Sequence, residues 1–327
     1  MIKTIRRIFL AFSVLLVSLY VILDAFVLPS SIKTQAVTPK PDFTHETVKT
    51  TEPTKTPDPT KTPEKEPELT PEPSPTKDRS DYGVGDMTYK DDNVELAITK
   101  VEETVNGEFY RYYVADIKVS DVKYIKAAFA KGEFGRNIKD KTSVIAQENS
   151  AVFAVSGDYY GSRYSGLVIR NGVLYRDFDE IESLVIMDDG TMLGVTGEAG
   201  QGEELLHKGA WQGLTFGPTL VRDGEITGLK ADVTYKDNPR IAVGMIEPLH
   251  YVFVAVDGRL SEVPGMDGKE LAHLMKELGC SFAYNLDGGG SATMWFDSEV
   301  INVPCNPDGK QRNISDILYI ELLEDGE

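Results

Sequence analysis

Three glycines directly after an apolar strand are the feature that most constrains this chain. Residues 281–286 form a β-prone run, and Asp287 and the glycines at 288–290 follow it. Side chains alternate along a strand, so Asn285 and Asp287 share one face. Three glycines cost more backbone entropy than a turn requires, and they allow a bound group to approach the backbone closely. We therefore interpret 285–291 as a ligand loop rather than an ordinary Asp-Gly hairpin turn.

The glycine loop completes a strand–helix–strand unit. Residues 251–256 form an apolar strand, and residues 268–278 carry an amphipathic helix pattern behind a capping box of Asp267 and Glu270. A helical connection predicts that strands 251–256 and 281–286 run parallel. Asp257 and Asp287 would then both follow the carboxyl ends of parallel strands, where α/β sheets bind ligands, and one site could use both.

Strands dominate the rest of the C-terminal part of the chain. Asn-Gly and Asp-Gly pairs at 171–172, 189–190 and 223–224 separate β-prone segments, and a second helix is predicted at 141–148. We predict an α+β or mixed α/β fold, with a strand-rich mixed sheet and few helices. The other predicted strands are 94–101, 112–119, 151–155, 167–169, 184–187 and 317–323.

The chain divides into three segments by composition. Residues 1–36 join a basic start to the apolar run 8–28, which predicts a transmembrane helix; cleavage of a signal after Ala36 is the alternative. Residues 37–80 hold ten of the seventeen prolines and almost nothing apolar, and are predicted to be a disordered linker. Residues 81–327 form the folded domain. We expect a single-pass protein of the cell membrane with this domain outside the cell, or a secreted protein if the start is cleaved.

Charge and residue types exclude several kinds of function. The formal net charge is −18, all of it in residues 81–327, so nucleic acid and anionic lipid are unfavourable partners of this domain. An anionic substrate would need a locally positive site. The four histidines lack zinc-ligand spacing, Ser291 lacks a GxSxG setting, and no lysine follows the glycines as in a P-loop.

The two cysteines, Cys280 and Cys305, lie on either side of the glycine loop. In an exported protein they would be expected to form a disulfide that braces the loop. Two unpaired thiols are an equally weighted alternative, because sequence does not give their geometry.

Further polar clusters adjoin apolar strands. Asp158 follows 151–155, Arg240 precedes 241–244, and Asp257 and Arg259 follow 251–256. Each cluster alone is more typical of a turn. Together, the carboxylates, arginines and glycine loop suit hydrolysis of a substrate that carries sugar and phosphate.

A set of motifs in order resembles the phosphodiester glycosidase family over residues 112–323. The most specific is NLDGGGSATM at 285–294. One departure is Ser156, where the family usually has asparagine before Gly-Asp. The other motifs are SGDYYG at 156–161, FGPTLV at 216–221, NPRIAVG at 238–244, VDGR at 256–259 and RNISDIL at 312–318.

The resemblance implies a hydrolase that removes a sugar from a sugar-1-phosphodiester, here expected to act on cell-surface or exopolysaccharide glycans. It would break the bond from the anomeric carbon to oxygen and leave a phosphomonoester. Asp158 and Asp287 are the candidates for the water-activating base or for binding sugar hydroxyls. Arg240 and the backbone N–H groups of Gly288 to Ser291 are the candidates for holding phosphate. The expected substrate contacts are Asn285, Gly288, Gly289, Gly290, Ser291, Asp257, Arg259 and Tyr160.

Two alternatives accompany this interpretation. No cofactor is expected, although aspartates at strand ends would also suit Ca²⁺ or Mg²⁺. A non-catalytic module that binds glycans and organises surface polysaccharide is the rival function, since Tyr159, Tyr160 and Tyr164 adjoin the carboxylates.

The segment boundaries predict the outcome of limited proteolysis of the full chain. Protease should cleave within 37–80 first and leave a stable fragment that begins near Asp81, because the linker has no core to protect it. Mass spectrometry of the early fragments checks this. A first cleavage inside the domain would contradict the division.

Overall fold

The computed structural model describes residues 87–229 and 238–322, together with the two-residue strand Ser30–Ser31. Apart from that strand, the predicted anchor (1–36) and linker (37–80) lie outside the described residues. Among the residues that are described, no helix is both long and apolar enough to cross a membrane.

The domain is rich in strands and has few helices, as predicted; its described part contains three α-helices. The helices are α1 (Thr142–Glu148), α2 (Gly202–His207) and α3 (Gly268–Glu277). The strands are β1 (Ser30–Ser31), β2 (Met87–Lys90), β3 (Val94–Val105), β4 (Glu108–Val119), β5 (Lys126–Phe129), β6 (Gly135–Arg136), β7 (Asp140–Lys141), β8 (Ala151–Ser156), β9 (Val168–Arg170), β10 (Val173–Arg176), β11 (Ser183–Met187), β12 (Met192–Val195), β13 (Ala210–Leu214), β14 (Thr219–Arg222), β15 (Glu225–Ile226), β16 (Arg240–Glu247), β17 (His250–Val256), β18 (Phe282–Leu286), β19 (Met294–Phe296), β20 (Glu299–Val300), β21 (Asn313–Ile314) and β22 (Asp316–Glu321).

An eight-stranded sheet forms the largest layer, in the order β15-β14-β18-β16-β17-β4-β3-β2. β17 and β18 run in the same direction, as predicted, because each pairs antiparallel with β16. They are not neighbours: a tight turn joins β16 to β17, so the crossover through α3 must pass over β16 to reach β18. The carboxyl ends of β17 and β18 therefore lie at one edge of the sheet, separated by one strand.

Two five-stranded sheets complete the fold, in the orders β10-β9-β13-β11-β12 and β20-β19-β8-β22-β5. The main core contains Phe253 and Tyr284 of the large sheet together with Phe153 of β8. Helix α3 covers the other face of the large sheet and packs on Ala283. This confirms the alternation read from residues 281–286. The two-residue strand β1 pairs with β6.

Local signals in the sequence explain several elements. The capping box of α3 is present, with Asp267 accepting hydrogen bonds from the N–H groups of Lys269 and Glu270. The helix stops before Gly279, which has a φ of 81°. The predicted turns at 171–172, 189–190 and 223–224 connect β9 to β10, β11 to β12 and β14 to β15. Helix α2 was not predicted, because six residues are too few for a periodic pattern.

The expected disulfide is absent, since Cys280 and Cys305 are not bonded to each other. Cys280 is buried beneath α3, where its Sγ lies 2.5 Å from the position that a Cβ on Gly244 would take. Cys305 is partly exposed in the loop that follows β20. The expected disulfide was therefore wrong. Cys280 projects into the packed core under a helix, whereas Cys305 lies in a surface loop.

The two thiols should differ in reactivity in the native protein. We expect an alkylating reagent to modify Cys305 without denaturant and Cys280 only after unfolding, because only Cys305 reaches solvent. Mass measurement of the non-reduced protein before and after urea checks this. A native protein that resists alkylation at both positions would contradict the structure.

Candidate active site

The ends of β8 and β18 meet at a small cavity, which we name the carboxylate pocket. The N–H of Asp287 donates to the carbonyl of Gly157 at 3.3 Å, so the loop after each strand is fixed against the other. The cavity has a volume of about 90 Å³. Its lining residues are Lys139, Asp158, Tyr159, Ser162, Asp287, Ser291, Arg312, Asn313, Ile314 and Ser315.

Asp158 is 3% exposed, and the backbone fixes both of its carboxylate oxygens. Its Oδ1 accepts the N–H of Tyr160 at 2.8 Å, and its Oδ2 accepts the N–H of Thr215 at 2.9 Å. These charge-assisted hydrogen bonds fix the orientation of the carboxylate at the floor of the pocket.

A buried arginine connects Asp158 to a second carboxylate. Arg170 Nη2 lies 3.1 Å from Asp158 Oδ2 and 2.6 Å from Asp316 Oδ2. Burial raises the pKa of Asp316 to about 7, an effect that the charge of Asp158 increases and that of Arg170 opposes. Gly157 is required here because a Cβ would lie 2.6 Å from Asp316 Oδ1. We name Asp158, Arg170 and Asp316 the buried triad.

Asp287 is the carboxylate of the pocket whose pKa is shifted by its surroundings. Burial raises its pKa from 3.8 to about 6. A hydrogen bond from Ser291 and the charge of Arg312 act in the opposite direction and favour the ionised form. A carboxyl group with a pKa near 6 is suited to accept and release protons close to neutral pH.

The three glycines bring protein groups, including two guanidiniums, close to the loop. A Cβ on Gly288 would lie 2.6 Å from the carbonyl oxygen of Pro239, one on Gly289 3.4 Å from the guanidinium of Arg259, and one on Gly290 2.3 Å from Arg312 Nη2. Two of the loop N–H groups have acceptors inside the protein: Gly289 donates to Pro239 at 2.8 Å, and Ser291 to Gly288 at 3.1 Å.

Cationic side chains surround the pocket although the domain is acidic. Lys139 and Arg312 line the cavity, and the charge of Arg163 also acts on Asp287. Arg163 donates to the carbonyl of Thr215 and lies 5.9 Å from the ring centre of Tyr159. The pocket therefore combines carboxylates with the local positive charge that an anionic substrate needs.

The structure brings Asp158, Asp287 and Ser291 together and places the other predicted residues around them. Asp257 is fully buried, where it accepts Arg111 Nε at 2.5 Å and the N–H of Val303 at 2.8 Å. Arg240 Nε donates to the carbonyl of Met266 at 2.9 Å, and burial lowers the pKa of its guanidinium. Neither lines the carboxylate pocket.

Three further predicted residues support neighbouring segments. Arg259 is exposed and donates to Asn238 Oδ1 at 2.6 Å. Asn285 Nδ2 donates to the carbonyl of Gly217 at 2.8 Å. The ring of Tyr160 is buried and stacks on Phe134 at 5.1 Å, so the exposed aromatic residue at the pocket is Tyr159 instead. Their predicted roles in substrate binding stay predictions.

Several residues of the carboxylate pocket and the buried triad were not predicted individually. Lys139 precedes the short strand β7 and Arg170 ends β9, and neither lies in a distinctive motif. Arg312 and Asp316 belong to the RNISDIL motif at 312–318, which indicated the family resemblance but no role for either residue. That motif was the one available signal. Among the described residues, no group of three or more His, Cys, Asp or Glu side chains is arranged to hold a metal ion.

The fold and pocket define a strand-rich domain with a carboxylate-centred site bordered by cations. The chain belongs to the phosphodiester glycosidase family, whose sequence profile matches residues 149–321. This confirms the family resemblance seen in the motifs.

A curated relative and two solved structures extend the comparison. The SPbeta prophage-derived uncharacterized protein YomE of Bacillus subtilis is 31% identical over 203 residues, which is 59% of this chain; the chain spans only about a third (31%) of that protein. The zebrafish N-acetylglucosamine-1-phosphodiester alpha-N-acetylglucosaminidase catalytic domain, auto-inhibited by its pro-peptide, matches with a TM-score of 0.60 and 22% identity, over 74% of this chain and 87% of that one. A hypothetical protein from Synechocystis matches with a TM-score of 0.53 and 12% identity, over 69% of this chain and 62% of that one. These structures show the shared fold.

The raised pKa of Asp287 predicts how Asp287→Asn changes stability with pH. The folded state holds the Asp287 proton more tightly than the unfolded state, so the wild type loses stability relative to the neutral variant as pH rises from about 4 to about 6. We expect the variant to be more stable above pH 7 by up to about 3 kcal/mol, and the gap to close near pH 4. Urea unfolding of both proteins across this range measures the gap, and a gap that does not change with pH would contradict the assigned burial.

Proposed function

We propose that this protein hydrolyses sugar-1-phosphodiesters by cleaving the bond between the anomeric carbon and the phosphate oxygen. The observation that carries the proposal is one small cavity holding Asp158 and Asp287 together with Arg312 and Lys139. Carboxylates can activate water and bind sugar hydroxyls, and the cations can bind phosphate. Family membership and the name of the zebrafish enzyme, which acts on an N-acetylglucosamine-1-phosphodiester, support the same chemistry.

We assign the role of general base to Asp287. Both oxygens of Asp158 already accept backbone N–H groups and one of them also pairs with Arg170, so this carboxylate is held in one orientation, which suits a fixed group facing the sugar rather than a mobile base. Asp287 lines the same cavity with a pKa of about 6, so it is ionised near neutral pH and retains useful basicity.

Arg312 and Lys139 are the groups proposed to bind the phosphate. A phosphomonoester is a weakly basic leaving group, so charge stabilisation matters more than a strong general acid. Arg312 is exposed at the pocket and lies against Gly290, where the missing side chain makes room for the guanidinium. A guanidinium can bind two phosphate oxygens at once.

The biological setting is part of the proposal. The basic start and apolar run of residues 1–36 support a membrane anchor, and the proline-rich segment 37–80 supports a spacer that holds the domain outside the cell. Cell-surface or extracellular polysaccharides with phosphodiester-linked sugars are the substrates that fit such a setting.

The direct test is incubation of the full chain with UDP-N-acetylglucosamine and with an aryl N-acetylglucosamine-1-phosphodiester. Release of free sugar together with UDP from the first substrate, or with the aryl phosphate from the second, supports the enzyme. Saturable binding without release, with the exposed Tyr159 and Tyr164 as contacts, would identify the glycan-binding module instead.

Substitution of the arginines tests the assignment of the phosphate site. We expect Arg312→Met to lower kcat/KM about 100-fold or more, because it removes a charge that stabilises the leaving phosphate. Lys310→Met is the matched control, since Lys310 is exposed nearby and paired with Asp308. In steady-state assays, kcat/KM of the control should stay near the wild-type value. A larger loss of kcat/KM in Arg240→Met than in Arg312→Met would place the phosphate site at Arg240.

The pH dependence of kcat/KM tests the role of Asp287. A base must be ionised, so the rate should rise through a pH of about 6 and level off above it. Ser291→Ala should move this rise to higher pH, because it removes a hydrogen bond that lowers the pKa of Asp287. Ser162→Ala, another hydroxyl of the pocket, is the control and should leave the midpoint in place. A rate that falls through pH 6 would make Asp287 an acid instead.

A further inference from the structure

A second and larger cavity lies beside the carboxylate pocket. It has a volume of about 670 Å³, within the range of roughly 300–1,000 Å³ that is typical of small-molecule sites. Its walls come from residues 181–182, 216–219 and 227–229, together with Arg222. We name it the Phe216 cavity. The carboxylate pocket, at about 90 Å³, is far smaller.

Two short segments contribute to both cavities. The N–H of Thr215 donates to Asp158 in the carboxylate pocket, and the next residue, Phe216, lines the larger cavity. On β18, Tyr284 Oη accepts the N–H of Phe216 at 3.0 Å, and three residues later Asp287 lines the carboxylate pocket. The two cavities are therefore linked by the segment 215–216 and by the end of β18.

Arg163 marks the junction between the cavities. Its guanidinium carbon lies 5.9 Å from the ring centre of Tyr159, which lines the carboxylate pocket, and 5.7 Å from that of Phe216. A ligand that spans both cavities would pass this guanidinium.

The lining of the Phe216 cavity combines an aromatic face with groups for hydroxyls. Glu182 Oε1 and Arg222 Nη2 form an ion pair of 2.5 Å, which offers a hydrogen-bond acceptor and donors side by side. Thr219 is 3% exposed, and its Oγ1 has no hydrogen-bond partner among the described residues. A buried hydroxyl without a partner is costly, so a ligand that bonds to it would gain affinity.

We propose that the Phe216 cavity binds the sugar ring of the substrate, with the anomeric carbon directed toward Asp158 and Asp287. This inference rests on the proposed function. A pyranose has an apolar face for the ring of Phe216 and neighbouring hydroxyls for Glu182, Arg222 and Thr219. The carboxylate pocket offers Lys139 and Arg312 to a phosphate, whereas Arg222 in this cavity is already paired with the carboxylate of Glu182, so a neutral polyol suits this cavity better than a phosphate does.

The test is a binding measurement with free sugars, which needs no turnover. N-acetylglucosamine and glucose are titrated against the full chain by saturation-transfer NMR and calorimetry. We expect at least one to bind, and Phe216→Leu and Glu182→Gln each to weaken it about tenfold or more, a change of about 1.4 kcal/mol. Glu225→Gln is the matched control, because Glu225 is also a glutamate in an ion pair, with Lys276 at 2.6 Å. Thermal melting checks that each variant is folded.

The outcomes separate this inference from the proposed function. Sugar binding that depends on Phe216 and Glu182 without any hydrolysis would refute the proposed hydrolase activity and support the sugar site. Hydrolysis with an unchanged KM in both variants would keep the enzyme and overturn the cavity. Failure of both sugars to bind, or binding that both variants retain in full, would also overturn it.

Discussion

The geometry of the site depends on Arg170, which pairs with both carboxylates of the buried triad. Asp158 and Asp316 are 3% and 0% exposed, and Arg170 is 2% exposed, so solvent screens none of them. A buried charge without a partner costs several kcal/mol, and Arg170 serves both carboxylates at once. Its position at the end of β9 connects one five-stranded sheet to β22 of the other. The loop after β8 closes on this network only because residue 157 is glycine. The orientation of Asp158 toward the pocket follows from this arrangement.

The glycine loop has a related physical role. Its residues were expected to approach a ligand, yet in the structure Gly289 and Gly290 lie directly against the guanidiniums of Arg259 and Arg312. Close approach between loop and cation places positive charge beside Asp287 and opposes the effect of its burial. The loop therefore adjusts the pocket through the residues that pack on it, as well as through its own backbone.

Local signals in the sequence were sufficient for much of the fold. The capping box before α3, the turn pairs and the alternation along 281–286 depend on neighbouring residues, and the structure has all three. The placement of Asp158 and Asp287 after apolar strands also led to two carboxylates that share a pocket.

Long-range packing explains what the sequence did not reveal. The strand β16 lies between β17 and β18, because a tight hairpin pairs β16 with β17 and the helical crossover then reaches β18 on the other side of β16. Asp316 directly precedes the predicted strand 317–323, and its pairing with Arg170 joins residues 146 positions apart. Lys139 and Arg312 reach the pocket from short irregular segments that carry no periodic pattern.

The position of bond cleavage is the most direct measure of the central claim. Hydrolysis of a sugar-1-phosphodiester in ¹⁸O-labelled water, followed by mass analysis of both products, shows which atom the water attacks. Attack at the anomeric carbon places the label in the released sugar and leaves the phosphomonoester unlabelled, which is the result expected from Asp287 acting beside the anomeric carbon. Label in the phosphomonoester would mean cleavage of a phosphorus–oxygen bond, and would contradict the proposed glycosidase.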